Sequence, residues 1–135
     1  HGTTFGGNTL ISEVARTAFK KINTDEMLSG VIEKGKLFRE HLEHINNELN
    51  MFEKIRGRGL MIGAVLSKDW KNKANGIVTN CQNHGVLVLS AGPDVVRFLP
   101  PLNISDEELK IGLDRVNEAL KNFQVLQNTN FDQTL

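Results

Sequence analysis

The chain has 135 residues, 39% hydrophobic and 24% charged, the balance of an ordinary soluble globular domain with one core. Sixteen Lys and Arg against sixteen Asp and Glu leave no net formal charge, so no overall field draws it to nucleic acid or to an anionic membrane. The single cysteine, Cys81, excludes an internal disulfide and a cysteine-built zinc site, and no apolar run approaches the roughly 18 residues that span a bilayer. A reducing, cytoplasmic setting fits these features.

In chain order, Asn8 caps a first predicted helix over Thr9–Ile22, in which Leu10, Ile11, Val14, Ala15, Ala18, Phe19 and Ile22 recur at helical spacing. A second start lies at Asn23 to Glu26, with the acid three residues after the cap. The long amphipathic helix behind it carries Leu28, Val31, Phe38, Leu42, Ile45 and Leu49 as one stripe. MFEKIR and LMIGAVL, separated by Gly57, Arg58 and Gly59, read as a β-hairpin. Ser67 is positioned to cap a third helix with Trp70, Ala74, Ile77, Val78 and Cys81 on its buried face, and Gly85 to end it. VLVLS is predicted as a strand, AGPD as a turn, and VVRFL as a strand stopped by Pro100 and Pro101. Ser105 and Glu108 form a capping box for a last helix lined by Leu109, Leu113, Val116, Leu120 and Phe123; the polar segment after Gln124 lacks periodicity and is predicted to fray. The element order suits an α/β chain of the α+β kind, a small sheet with helices packed on one face.

Three constellations carry candidate chemistry. HGTTFGGN places two hydroxyls and the glycine pair Gly6 and Gly7 directly before a helix N-terminus, where backbone N–H groups, the helix dipole and Thr3 or Thr4 can hold a phosphate; a capped glycine turn is the plainer reading. Arg97 stands inside VVRFLP, on the strand face shared with Val95 and Leu99, and a guanidinium among apolar neighbours needs an anion. That anion is either a substrate carboxylate or an internal Asp or Glu. Arg56 and Arg58 in RGRGLMIG could also meet an anion, although arginines at a hairpin tip are ordinarily solvated. His41 and His44 lie three apart on the long helix among Glu40, Glu43 and Arg39, the pattern of a charged surface rather than of a metal site; no metal is expected. Cys81 is expected in the core and His84 beside the helix-ending Gly85.

HGTTFGGN, RGRGLMIG, GVLVLSAGPDVVRFLPPL and the closing SDEEL helix resemble, in this order and spacing, the class III aminotransferases, up to Phe123. The resemblance is closest to the acetylornithine and succinylornithine enzymes, whose style INTDEMLSGV and AGPDVVRF also share. It departs at Phe5, where the family usually has Tyr, and at Thr9, where it usually has Pro. It implies the C-terminal domain of a fold type I transaminase of arginine metabolism, a cytoplasmic homodimer. Such an enzyme uses pyridoxal 5'-phosphate to pass an amino group between an N-acylornithine and 2-oxoglutarate or glutamate. By the same resemblance Thr4, with Thr3 beside it, binds the phosphate of the cofactor held by the other subunit, and Arg97 binds the substrate α-carboxylate. The cofactor-carrying lysine and the acid facing the pyridine nitrogen belong upstream of His1, which reads as a fragment boundary. No catalytic residue is therefore assigned within the chain, and the chain alone is expected to be inactive and without cofactor. The expected division is 1–22 as the end of the cofactor domain and a connecting helix, 23–123 as the small domain, and 124–135 as a polar tail. Two other readings share these residues: a stand-alone module that binds a small anion or a partner, and an ornithine or diamine aminotransferase.

Overall fold

In a computed structural model, residues 2–132 are described, with side chains as far as Thr129. Helix α1 spans Thr9–Ile22 and α2 spans Asp25–Leu49; strands β1 (Phe52–Arg58) and β2 (Met61–Leu66) form the hairpin. A single 3-10 turn at Lys68–Trp70 precedes α3 (Ala74–Asn83), then β3 (Leu89–Ser90), β4 (Val95–Phe98) and α4 (Asp106–Asp132). The sheet is antiparallel throughout, in the order β1-β2-β4-β3.

Alternation along the two central strands divides the sheet into two faces. Ile62, Ala64 and Leu66 of β2 and Val96 and Phe98 of β4 are buried, against Phe38, Leu42 and Ile45 of α2, Ile77 and Cys81 of α3 and Leu109, Leu113, Val116 and Leu120 of α4. Phe38 stacks obliquely on Phe98 at 5.4 Å and Trp70 on Phe123 at 6.1 Å, tying α2 to β4 and the 3-10 turn to α4. The opposite face, bearing Gly63, Val65, Val95 and Arg97, is only half-buried, with no helix on it among the described residues. The small α+β sheet with helices on one face is thus as the sequence predicts.

α1 has the predicted bounds, and Asn8 caps it by accepting from the backbone of Leu10 and Ile11. None of its residues is buried; Leu10, Val14 and Phe19 are exposed. α2 is capped by Thr24, whose hydroxyl accepts from the Met27 backbone, while Asn23 closes α1 instead. The Ser105–Glu108 box forms in both directions, Glu108 accepting from the Ser105 backbone and hydroxyl and the Glu108 N–H donating to Ser105 Oγ.

Three elements differ from the sequence expectation. Ser67 does not open one continuous helix. Asn72, at φ 62°, breaks the run, because its N–H donates to Asp94 Oδ1 and that of Ala74 to the Pro93 carbonyl; α3 starts only after these groups have gone to the AGPD turn. VLVLS is a strand only at Leu89 and Ser90, which face Arg97 and Val96. β4 ends at Phe98, and the register carries Val86 and Leu87 past it, to Pro100 and Leu99, so they have no strand to pair with. The segment after Gln124 is not frayed: no Gly or Pro interrupts it, the Gln124 amide donates to the Leu49 carbonyl across to α2, and α4 continues to Asp132. Residues 133–135 of the predicted tail lie outside the described residues.

Candidate functional site

The threonine loop and Arg97 are built by separate elements. In the loop, the Gly6 N–H donates to the Thr3 carbonyl and the Asn8 N–H to the Phe5 carbonyl, folding two overlapping turns ahead of α1; Gly7 takes φ 80°. Thr3 Oγ1 lies over Gly6, where a Cβ would stand only 2.6 Å from it, so a larger residue 6 would turn the Thr3 hydroxyl away. Both threonines are exposed, and neither hydroxyl is hydrogen-bonded to another described residue. His1 of the motif lies outside the described residues.

An anion at this loop would not sit on the helix N-terminus in the simple way the sequence suggests. The N–H groups of Leu10 and Ile11 are taken by Asn8 Oδ1 and that of Ser12 by the Asn8 carbonyl. The donors left for it are the hydroxyls of Thr3 and Thr4 and loop N–H groups, a set that fits a phosphate oxygen without a lysine.

Arg97 projects from β4 onto the open face of the sheet, opposite Gly63 of β2 and Leu89 of β3. Its Nε is buried and has no hydrogen-bond partner. No Asp or Glu among the described residues pairs with it, so the internal-acid explanation of this arginine finds no acid there. A groove of about 320 Å³ opens beside it, lined among others by Gly63, Val95, Ala91, Arg56 and Arg58. A guanidinium with apolar neighbours and no internal counter-charge among the described residues can take a carboxylate. Neither threonine of the N-terminal loop lines this groove.

Arg56 and Arg58 are exposed, as the sequence suggests, but belong to β1 rather than to the hairpin tip, which is made by Gly59 and Leu60. Register brings Arg56 opposite Gly63, so Arg56, Gly63 and Arg97 lie in one row across three strands. Sequence reasoning did not join Arg56 to Arg97. The signal available was only that both arginines fall at outward positions of neighbouring strands, and the pairing of residues 41 apart in sequence needs the register.

The remaining candidates are structural. His41 and His44 are exposed, His44 lying 4.0 Å from Glu48, and no group of three or more metal-ligating side chains occurs among the described residues. Cys81 is in the core, and burial pushes its thiol up to about 11, the opposite of what a nucleophile needs. His84 Nδ1 meets the Asn80 carbonyl at the end of α3. No helix among the described residues is long and apolar enough to cross a membrane.

The whole arrangement has close counterparts. The model of the family described as "aminotransferase class-III" matches residues 1–120. The succinylornithine transaminase/acetylornithine aminotransferase of Pseudomonas aeruginosa is 48% identical over 120 residues, covering 89% of this chain and 30% of that protein. The acetylornithine aminotransferase of Pseudomonas putida is 44% identical over the same share of each. Among solved structures, N-acetylornithine aminotransferase from Stenotrophomonas maltophilia superposes with a TM-score of 0.86 at 45% identity, over 90% of this chain and 33% of that one. Ornithine aminotransferase from Toxoplasma gondii, described with partial occupancy of pyridoxal phosphate at its active site, gives 0.83 at 29% identity, over 95% and 30%. The chain thus spans about 30% of the length of the curated relatives it matches. With its loop, its sheet and helices α1 to α3 inside the matched residues 1–120, and α4 beginning there, this chain belongs to the class III aminotransferase family.

Proposed function

We propose that this chain is the C-terminal portion of a pyridoxal-phosphate-dependent aminotransferase acting between an N-acylated ornithine, acetyl or succinyl, and 2-oxoglutarate. The observation that carries the reading is Arg97: a guanidinium whose Nε is buried and unpartnered, beside a groove on the helix-free face of the sheet. The names and identities of the relatives support the substrate class.

Pyridoxal phosphate, when bound, supplies the electron sink for exchange of the amino group, and the residues of this chain hold and orient what it acts on. Thr4, with Thr3 beside it, donates a hydroxyl hydrogen bond to a phosphate oxygen. Arg97 takes the α-carboxylate of the amino donor or of the 2-oxo acid in paired N–H···O bonds, which fixes the reacting carbon relative to the cofactor. The catalytic lysine lies outside this chain. The threonine loop stands apart from the Arg97 groove, which supports a homodimer in which the loop serves the partner's cofactor. An α1 with no buried residue supports assigning 1–22 to the cofactor domain and its connecting helix, and 23–123 to the small domain. Cytoplasmic arginine metabolism is the setting proposed.

The test is amino transfer by the full-length protein. N-acetylornithine and N-succinylornithine, each offered with 2-oxoglutarate, should yield glutamate in amounts that depend on added pyridoxal phosphate, with unacylated ornithine the poorer donor. Turnover of ornithine alone would replace the acylated substrate by a diamine. Absence of glutamate with all three would favour an anion-binding module.

A further inference from the structure

The AGPD turn that joins β3 to β4 forms one end of the groove beside Arg97. Ala91 of the turn and Val95 just after it line the groove with Arg97, whose Nε is buried without a partner. The Ala91 N–H donates to the Val95 carbonyl at 2.9 Å across the turn, and Gly92 takes φ 82°. A turn bent at a glycine has little stiffness of its own, so what holds it in place must come from outside.

Neighbouring segments supply that support. The Leu66 N–H of β2 donates to the Asp94 carbonyl at 2.8 Å, and the Ala74 N–H at the start of α3 donates to the Pro93 carbonyl at 3.2 Å. The Asn72 N–H donates to Asp94 Oδ1 at 2.6 Å, the shortest of these bonds and the one made through a side chain. Asn72 stands at φ 62° to deliver it, a conformation that residues other than glycine hold only at a cost. The Asp94 carboxylate is therefore turned toward the loop ahead of α3, and Asp94 does not line the groove. Whatever it does for a ligand there, it does through the turn.

We propose that Asp94 is a positioning residue: by latching the AGPD turn to Asn72 it keeps Ala91 and Val95 against Arg97 and so fixes the direction in which the guanidinium meets its ligand. This rests on Arg97 binding a carboxylate, as argued above. Without the latch the turn moves away from the groove, water reaches the guanidinium, and binding has to order both the turn and the arginine. The cost falls on affinity, because the turn is ordered equally in the ground state and in the transition state.

The experiment is steady-state amino transfer to 2-oxoglutarate by the full-length protein with its cofactor, for the wild type, Asp94→Ala, Asp94→Asn and Arg97→Gln, with the melting temperature of each. Asp94→Ala should raise KM for 2-oxoglutarate about tenfold and leave kcat within about twofold. Asp94→Asn keeps the acceptor oxygen without its charge and should raise KM only about threefold, a rescue that also serves if the alanine variant does not fold. A lowered melting temperature with unchanged KM would overturn the proposal and make Asp94 structural. A lower KM in both variants would overturn it too, because Asp94 would then act as a negative charge that repels the substrate. If Arg97→Gln leaves KM and kcat as in the wild type, the carboxylate role of Arg97 fails, whatever the Asp94 variants do.

Discussion

Gly35 of α2 and Gly59 of the β1–β2 turn meet backbone to backbone, and a Cβ on Gly35 would fall inside the Gly59 carbonyl group. Arg39, one turn further along α2, donates to the same carbonyl at 3.4 Å. The contact sets how closely the hairpin lies on the helix, and so where Arg56 and Arg58 stand. Gly35→Ala should destabilise the fold by about 1–3 kcal/mol through overpacking, although alanine favours a helix interior over glycine by about 1 kcal/mol. Urea denaturation distinguishes the two: a gain in stability would mean that the helix and the turn separate freely.

Asn46 repairs the chain reversal between α2 and β1. Its amide donates to the Phe52 carbonyl at 2.8 Å and its oxygen accepts the Phe52 N–H at 2.7 Å, imitating a strand partner. Asn46→Ala leaves both backbone groups partly buried and unpaired, and should cost about 1–3 kcal/mol in the same measurement. Asn46→Asp keeps the acceptor and loses the donor, so it should fall between the two.

Acid should loosen the contact between α2 and α4. The Lys121 ammonium, 2.8 Å away, and then its charge hold Glu48 below the ordinary carboxylate value of 4.5; hydrogen bonds from Ser105 do the same for Glu108. A carboxylate whose pKa is lower folded than unfolded stabilises the fold above its unfolded value, and the contribution is lost as pH falls through the folded one. The melting temperature should therefore decline below about pH 4.5, and less steeply in Glu48→Gln and Glu108→Gln than in the wild type. Parallel declines in all three proteins would remove these two groups from the cause.

Thr4→Val keeps the shape of residue 4 and removes its hydroxyl. In the full-length protein it should weaken pyridoxal phosphate retention about tenfold, as a lost hydrogen bond to a charged group does, with little change in melting temperature of the cofactor-free form. Dialysis followed by absorbance of the remaining cofactor measures this. Retention equal to wild type would assign the phosphate to other donors.

What was legible in the sequence was local. Caps, apolar periods and glycine turns placed α1, the hairpin and the start of α4, because each signal lies within a few residues of what it specifies. The break at Asn72 depends on Asp94, 22 residues away, and the shortening of VLVLS depends on where β4 stops, so neither could be read from its own segment. The fate of the first helical N–H groups was legible in principle, since Asn8 is itself the competing acceptor. Arg97 stood out as an arginine in an apolar strand. Its row with Arg56 emerged only from the register, and the missing counter-charge only from the packing.

The unpartnered guanidinium of Arg97 is proposed to take the carboxylate of a substrate. The direct measurement is kcat/KM for 2-oxoglutarate in Arg97→Gln, alongside its melting temperature, in the full-length protein. Loss of a bidentate charged contact should lower kcat/KM on the order of 100-fold, and the melting temperature should hold, because no internal partner among the described residues is lost. Wild-type kcat/KM with a lower melting temperature would contradict the account and make Arg97 a structural residue.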